Sequence, residues 1–269
     1  MTDGLGLEDA YGVTLERIKA QGGQKSRLGM TALMWISHSE RPLEPDELCQ
    51  ALAVEIGETT YNPDDIPSIR TVLSCCQGLV VVDKEGSTVR PIHLTLQEYL
   101  TSCAHLPESP HSTIAETCLA YLNSQQISVF SDFCFLRARN TPFFEYSASY
   151  WGAHMKKEFS DRGKRLALKL LGHSGGGILI PPPEHVFCRY RSRVSYRARA
   201  TSAFTGLHYA AMFGLVEVAR VLITMDGIGV NDMDETGATP LMWAARNGHD
   251  GMAQLLSRRG DIDPEREDN

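Results

Sequence analysis

The sequence predicts a mainly α protein: helices along most of its length, one small β-hairpin, and a short helical repeat toward the C-terminal end. Three observations predict it. TGLHYAAMFG, beginning at Thr205, returns 34 positions later as TPLMWAARNG, beginning at Thr239. Residues 45–100 alternate two helical patterns, one hairpin and a further helical pattern. Residues 112–171 carry apolar side chains at helical spacing with few strand signals.

The elements follow in order. Residues 1–23 form an N-terminal helical segment. It begins MTDGLGLEDAYGVTL, without the basic start and apolar core of a secretory leader. Residues 24–104 form the first domain. In EPDELCQALAV, Pro45 suits a first helical turn, and Asp46 and Glu47 face the positive helix end. Leu48, Ala51 and Leu52 make its apolar side. PSIRTVLSCCQG repeats that plan, with Ile69, Val72, Leu73 and Cys76 on one face and Gly78 as the stop. The β-branched run Leu79–Val82, the turn Lys84–Ser87 and the run Thr88–Ile92 make a hairpin. Pro91 cannot donate to a ladder and places its strand at an edge. Thr95 and Glu98 read as a capping box that starts the next helix. Helix, helix, hairpin, helix is a winged-helix arrangement.

Residues 105–172 form a helical connector. STIAETCLAYLNS and TPFFEYSASYWGAHMKKEF are amphipathic, and Phe144, Ala148, Trp151 and Met155 make a stripe suited to core packing. DRGKRLALKLLGH adds a helix ending near Gly172. Residues 173–202 are a Gly-, Pro- and Arg-rich linker. Residues 203–262 hold two repeats. Thr239 and Pro240 suit a turn opening a helix, Ala210–Ala211 and Ala244–Ala245 are small enough for close contact, and Gly214 and Gly248 suit left-handed caps. Val218, Val221 and Leu222 line the second helix of the first copy. Residues 263–269 are an acidic tail expected to be disordered. Two repeats are fewer than the three or so that stand alone. Either they dock on the upstream helices or the chain is part of a longer array.

The repeat resembles the ankyrin repeat, with its T-P-L-H-x-A-A…G pattern. The first copy keeps His208 but has Gly206 for proline. The second keeps Pro240 but has Met242 for histidine. TALMWISHSERPLEPDELCQALAVE, LSCCQGLVVVDKEGSTVRPIHLTLQEYL and YSASYWGAHMKKE resemble the region following the NACHT domain in fungal NLR-like proteins of the STAND class. There a winged helix, also described in proteins named for GPI inositol-deacylase, precedes a helical segment and ankyrin repeats. That resemblance implies a signalling or self/non-self recognition protein. In the wider class a histidine of a Met-His-Asp motif touches bound ADP. PIHLTLQEYL places His93 there, with Ile92 for the methionine and Leu94 for the aspartate. An imidazole at a helix start can donate to a phosphate. His93 is thus a nucleotide contact only where a NACHT domain is supplied.

Other chemistry reads more weakly. Gly172-His173-Ser174-Gly175-Gly176 fits G-x-S-x-G, but a nucleophile elbow needs a strand before the serine and a helix after it. A helix precedes Ser174 and GGGILIPPP follows it. His185, His208 and His249 are the histidines one would nominate as its base. The serine-hydrolase reading therefore stands only as an alternative. QGGQKSRLG fails as a P-loop: Gln24 precedes Lys25 and the upstream glycine is absent. The chain carries seven cysteines, without C-x-x-C or short-spaced Cys/His pairs, so buried reduced thiols are expected and no metal.

The net charge is −7 over 269 residues. Residues 151–200 hold 11 Lys/Arg against 3 Asp/Glu, whereas residues 1–100 hold 8 against 15. An acidic front half, whose second helix offers only Arg70 to DNA, argues against nucleic-acid binding there. RYRSRVSYRAR, with arginines from Arg189 to Arg199 interleaved with Tyr190 and Tyr196, keeps an RNA-binding alternative open. Ser192 and Ser195 within it are candidate phosphorylation sites. No apolar run reaches membrane-span length.

The reading is a non-catalytic interaction module without cofactor. It is placed in the cytoplasm, with the nucleus as the alternative. Its protein partner is expected at the ankyrin tips around Gly227–Gly237 and at Tyr209, Met212, Phe213, Trp243, Arg246 and Asn247.

Overall fold

The computed structural model describes residues 6–57, 63–83, 85–102, 106, 108–124, 141–172 and 204–258. Helix α1 (Leu7–Ala20) has Glu8 and Asp9 in its first turn and Arg17 and Lys19 in its last, each sign opposing the helix-end charge. The chain turns through Gly22 and Gly23, both at positive φ, into α2 (Gly23–His38). The glycines of QGGQKSRLG thus reverse the chain between two helices.

Helix α3 (Pro45–Leu52) starts at Pro45, as the sequence predicts. Its Glu47 side chain accepts from the Glu44 backbone N–H and is clasped by both terminal nitrogens of Arg41. Ser68 caps α4 (Ile69–Cys75), and Gly78, at φ 85°, ends that segment. Strands β1 (Val80–Asp83) and β2 (Thr88–Pro91) pair antiparallel with Val80 opposite Pro91 and Val82 opposite Val89. Val89 also bridges to Leu43, so β2 has a neighbour on its second side, one pair of residues short of Pro91.

Helix α5 (Leu94–Ser102) starts one residue before the expected cap. Thr95 lies inside the helix, and its hydroxyl meets Tyr11 Oη at 2.9 Å. A long-range bond between hydroxyls stands where the capping box was predicted, because the helix already begins at Leu94 and Thr95 no longer precedes it. Leu33, Leu48, Val72, Cys76, Val89 and Leu96 fill the centre of this unit.

The connector is α6 (Pro110–Leu122), α7 (Phe143–Lys157) and α8 (Asp161–Leu171). In the expected α7 stripe, Ala148, Trp151 and Met155 are buried and Phe144 packs against the same core. Gln50 on α3 ties the connector to the first unit: its buried Oε1 accepts from Tyr121 Oη at 3.0 Å and Phe143 N at 2.8 Å. The Trp35 ring meets Phe143 and Tyr146 edge-on.

The repeats are the helix pairs α9 (Gly206–Phe213) with α10 (Val216–Leu222) and α11 (Pro240–Arg246) with α12 (Asp250–Ser257). Gly214 is a left-handed cap, and Gly248 has φ 67° just past its helix. The expected alanines divide: Ala210, Ala211 and Ala244 are buried, but Ala245 faces out. The pairs do dock upstream. Phe213 covers Trp151 at 5.3 Å between ring centroids, and Gly206 sits against Leu171. Buried hydrophobics therefore run as one cluster from Tyr11 to Leu256.

Candidate functional site

The repeat surface is built from two helix starts. Thr205 is the N-cap of α9, and His208, the histidine kept from the ankyrin-like pattern, reaches back to it. His208 Nδ1 accepts from Thr205 N at 3.0 Å and lies 2.8 Å from its hydroxyl. His208 Nε2 then donates to Ala238 O at 3.1 Å, joining one repeat to the next. These contacts require a neutral ring protonated at Nε2. Burial lowers the His208 pKa and favours that form. In the second repeat Thr239 Oγ1 accepts from Met242 N at 3.4 Å, so a backbone cap persists without histidine.

Between the pairs, Asp234 organises the tip. Its Oδ1 accepts from Thr236 N, Thr236 Oγ1 and Ala238 N at 2.8, 2.7 and 3.0 Å. Its Oδ2 accepts from Trp243 Nε1 at 2.7 Å. Burial works to raise the Asp234 pKa, but the bonds from Thr236, Trp243 and Ala238 outweigh it and hold it below the usual range. Beneath this, buried Phe204 meets the rings of Tyr209 and Trp243 edge-on at 4.8 and 5.4 Å.

The six expected contact residues separate accordingly. Tyr209 and Trp243 are 1 % and 4 % exposed and belong to the interior. Met212 is buried, and Phe213 is half-covered against α7. Arg246 and Asn247 are exposed. The Arg246 guanidinium lies 5.2 Å from the Trp243 ring centre, and Asn247 Nδ2 donates to Trp243 O at 2.9 Å. The surface available to a partner is therefore polar at this end, with Glu235 and Thr236 exposed at the tip. Aromatic residues at repeat positions look alike in sequence whether they face a partner or a neighbouring helix. Phe204 and Asp234 escaped the sequence reading. Phe204 could have been found as the apolar residue preceding a cap, which often folds back on its helix. Asp234 has no counterpart five positions before Thr205, where Ala200 stands.

His93 is exposed, directly before α5, with exposed Ile92 and Leu94 beside it. Arg70 is exposed on α4. Ser174, His185, Ser192, Ser195 and the run Arg189–Arg199 lie outside the described residues. The other two nominated bases are engaged within the repeats: His208 as above, and His249 with Nε2 donating to Met212 O at 3.0 Å and Nδ1 accepting from Lys156 Nζ at 3.2 Å.

The family model described as GPI inositol-deacylase, winged helix domain, matches residues 15–109, and that of ankyrin repeats (3 copies) matches residues 185–268. The chain is a winged helix domain joined to ankyrin repeats. Among curated proteins, human transient receptor potential cation channel subfamily A member 1 is 36% identical over 69 residues, 25% of this chain. The chain spans only 6% of that relative's length. No solved structure matches it. The ankyrin repeats support a protein-interaction role, and no helix among the described residues is long and apolar enough to cross a membrane.

Proposed function

We propose that the chain is a non-catalytic interaction and signalling module of the NLR-like, NACHT–ankyrin kind, acting in the cytoplasm. Its ankyrin surface binds a protein partner, while the winged helix serves a regulatory and packing role and the connector helices α7 and α8 hold the repeats. The observation that carries this reading is the asymmetry of the array. One side of the first repeat is committed to α7 and α8, while the second repeat leaves Arg246 and Asn247 facing out beside the Glu235–Thr236 tip. A solenoid anchored on one side and open on the other presents a fixed surface to a partner. The engagement of His208 and His249 in repeat contacts supports the non-catalytic reading.

The test has two arms. Proteins retained by the wild-type chain are compared with those retained by an Arg246→Glu, Asn247→Ala variant of equal thermal stability. Loss of a retained protein in the variant is expected, and identical retention overturns the surface. Calorimetry with ADP and ATP, on this chain alone and mixed with a NACHT domain of the resembling family, tests the regulatory part. Nucleotide binding strengthened by the mixture and lost in His93→Ala is the expected result, and no effect in either case removes His93 from the proposal.

A further inference from the structure

Where the winged helix meets the connector, three side chains from separate elements converge. Glu40 follows α2, His111 lies in the first turn of α6, and His154 lies in the last turn of α7. His111 Nδ1 and His154 Nδ1 are 2.8 Å apart, and Glu40 Oε1 is 4.0 Å from His154 Nδ1. One ligand atom from each of the three lies within 4.8 Å of the others. We propose that Glu40, His111 and His154 form a binding site for a divalent transition metal of the zinc class, with water in the fourth position.

The donor set suits such an ion. Two imidazoles and one carboxylate are a recurring three-ligand zinc set, with metal–ligand distances of about 2.0–2.2 Å. A tetrahedral ion holds neighbouring ligand atoms about 3.3 Å apart, by the same distances. The 2.8 Å and 4.0 Å separations bracket that value, and with all three atoms within 4.8 Å of one another, side-chain adjustment brings them onto one ion. His154 is fully buried, and its second nitrogen, Nε2, lies 2.8 Å from Tyr146 Oη. Tyr146 Oη also accepts from the Glu40 backbone N–H at 3.0 Å. A bond from the far ring nitrogen to a fixed acceptor is what orients a metal-ligating histidine; the proton that His111 Nδ1 then shares with His154 Nδ1 shifts to His111 Nε2 when metal enters. Glu40 is exposed and supplies the entry side.

The surrounding charges support neutral ligands. Burial lowers the pKa of both histidines, with Lys157 and neighbouring histidines adding to the effect. The neutral ring is the form that ligates metal. Lys157 Nζ holds Glu40 Oε1 at 2.7 Å and competes with the ion. Its half-exposed side chain can turn to solvent when metal enters. His38 meets the His111 ring at 5.5 Å but directs its Nδ1 to Ser37 Oγ and Met34 O. Glu158 Oε2 accepts from Ser112 N at 3.0 Å on the other side of His111. Ligand spacing in the sequence gives no sign of this metal, because the three residues are not close in the chain. Here His111 and His154 are 43 positions apart and the fold alone unites them.

The test is a zinc titration of the chelator-stripped full chain in competition with a chromogenic chelator. One equivalent of zinc is expected, with affinity reduced at least about tenfold in His111→Ala and in Glu40→Gln. Lys157→Ala, which frees Glu40 and removes a competing cation, is expected to bind zinc more tightly. These substitutions spare fully buried His154, so folding is not the obstacle. Cobalt in place of zinc should give a tetrahedral spectrum without a thiolate charge-transfer band, which separates this site from the cysteines. Absence of stoichiometric zinc binding, equal binding in both ligand variants, or a thiolate band overturns the proposal.

Discussion

The Phe213 ring lies directly over Gly152: a Cβ built on that glycine would stand 2.2 Å from the ring. The first repeat can approach α7 this closely only because position 152 has no side chain. Gly206 plays the same part from the other side, where a Cβ would fall 2.3 Å from Leu171 O. The seam between connector and repeats is thus set by two glycines and filled by Trp151 and Phe213.

Gly152→Val is expected to loosen this seam and destabilise the chain by about 1–3 kcal/mol, the usual range for overpacking a close contact. Phe213→Ala alone should also destabilise, through lost burial against Trp151. Combined with Gly152→Val it should recover part of the loss, because the clashing ring is gone and the two sites are coupled. Urea denaturation of the four proteins in the cycle gives the coupling energy, and strict additivity would show that the contact is not formed.

Asp234 and Trp243 give a second prediction. Asp234→Ala removes the acceptor of four hydrogen bonds and leaves buried donors unpaired, so it should destabilise by about 3 kcal/mol or more. Trp243→Phe removes one charge-assisted bond while keeping most of the ring and should cost about 1.5–3 kcal/mol. The order of effects, measured by thermal or urea unfolding, distinguishes a tip organised by the carboxylate from one held only by aromatic packing.

Much of this fold was legible because its signals are local. Pro45, Gly214 and Thr239 mark helix ends through chemistry confined to a few residues, and each stands where its pattern put it. The Thr95 cap failed for the opposite reason. Its hydroxyl is claimed by Tyr11, 84 positions away, and no local pattern carries that competition. The candidate surface was legible as a repeat but not in its facing. Tyr209 and Trp243 take their orientation from Phe204 and Asp234, neither of which the repeat pattern required.

His208 gives the chain a pH dependence with a defined sign. Burial lowers its folded pKa below the ordinary value of about 6.5, so the unfolded chain binds the proton more readily. Its contribution is full above about pH 6.5 and diminishes as pH falls, by at most about 1.4 kcal/mol per pH unit, until the folded ring itself protonates. His208→Gln keeps an acceptor at the third helical position, as in a Thr-x-x-Gln capping box. The stability difference between wild type and this variant should be flat above pH 6.5 and shrink below it. A parallel pair of stability curves between pH 7.5 and 5 would show that the ring titrates alike in both states.

The cysteines test how rigid the front unit is. Cys49, Cys75, Cys76 and Cys118 are buried and unpaired, and none forms a disulfide. Burial pushes the Cys49 thiol up to about 11 and the Cys76 thiol up to about 12. Thiolate, the reactive form, is therefore scarce at neutral pH, and burial also blocks reagents from approaching. Alkylation of the native chain at pH 7.5, mapped by mass spectrometry, should leave these four unmodified over a time in which the urea-unfolded chain is fully labelled. If Cys76 instead reacts in the native state at a rate that falls with added stabiliser, the α2–α4 contact opens locally. That contact is the place to look first, because Gly29 lets α2 approach the Cys75 carbonyl so closely that a Cβ there would fall 2.7 Å from its oxygen. Gly29→Ala should then raise the native labelling rate of Cys76 toward that of the unfolded chain, while leaving Cys118, fully buried on α6, protected.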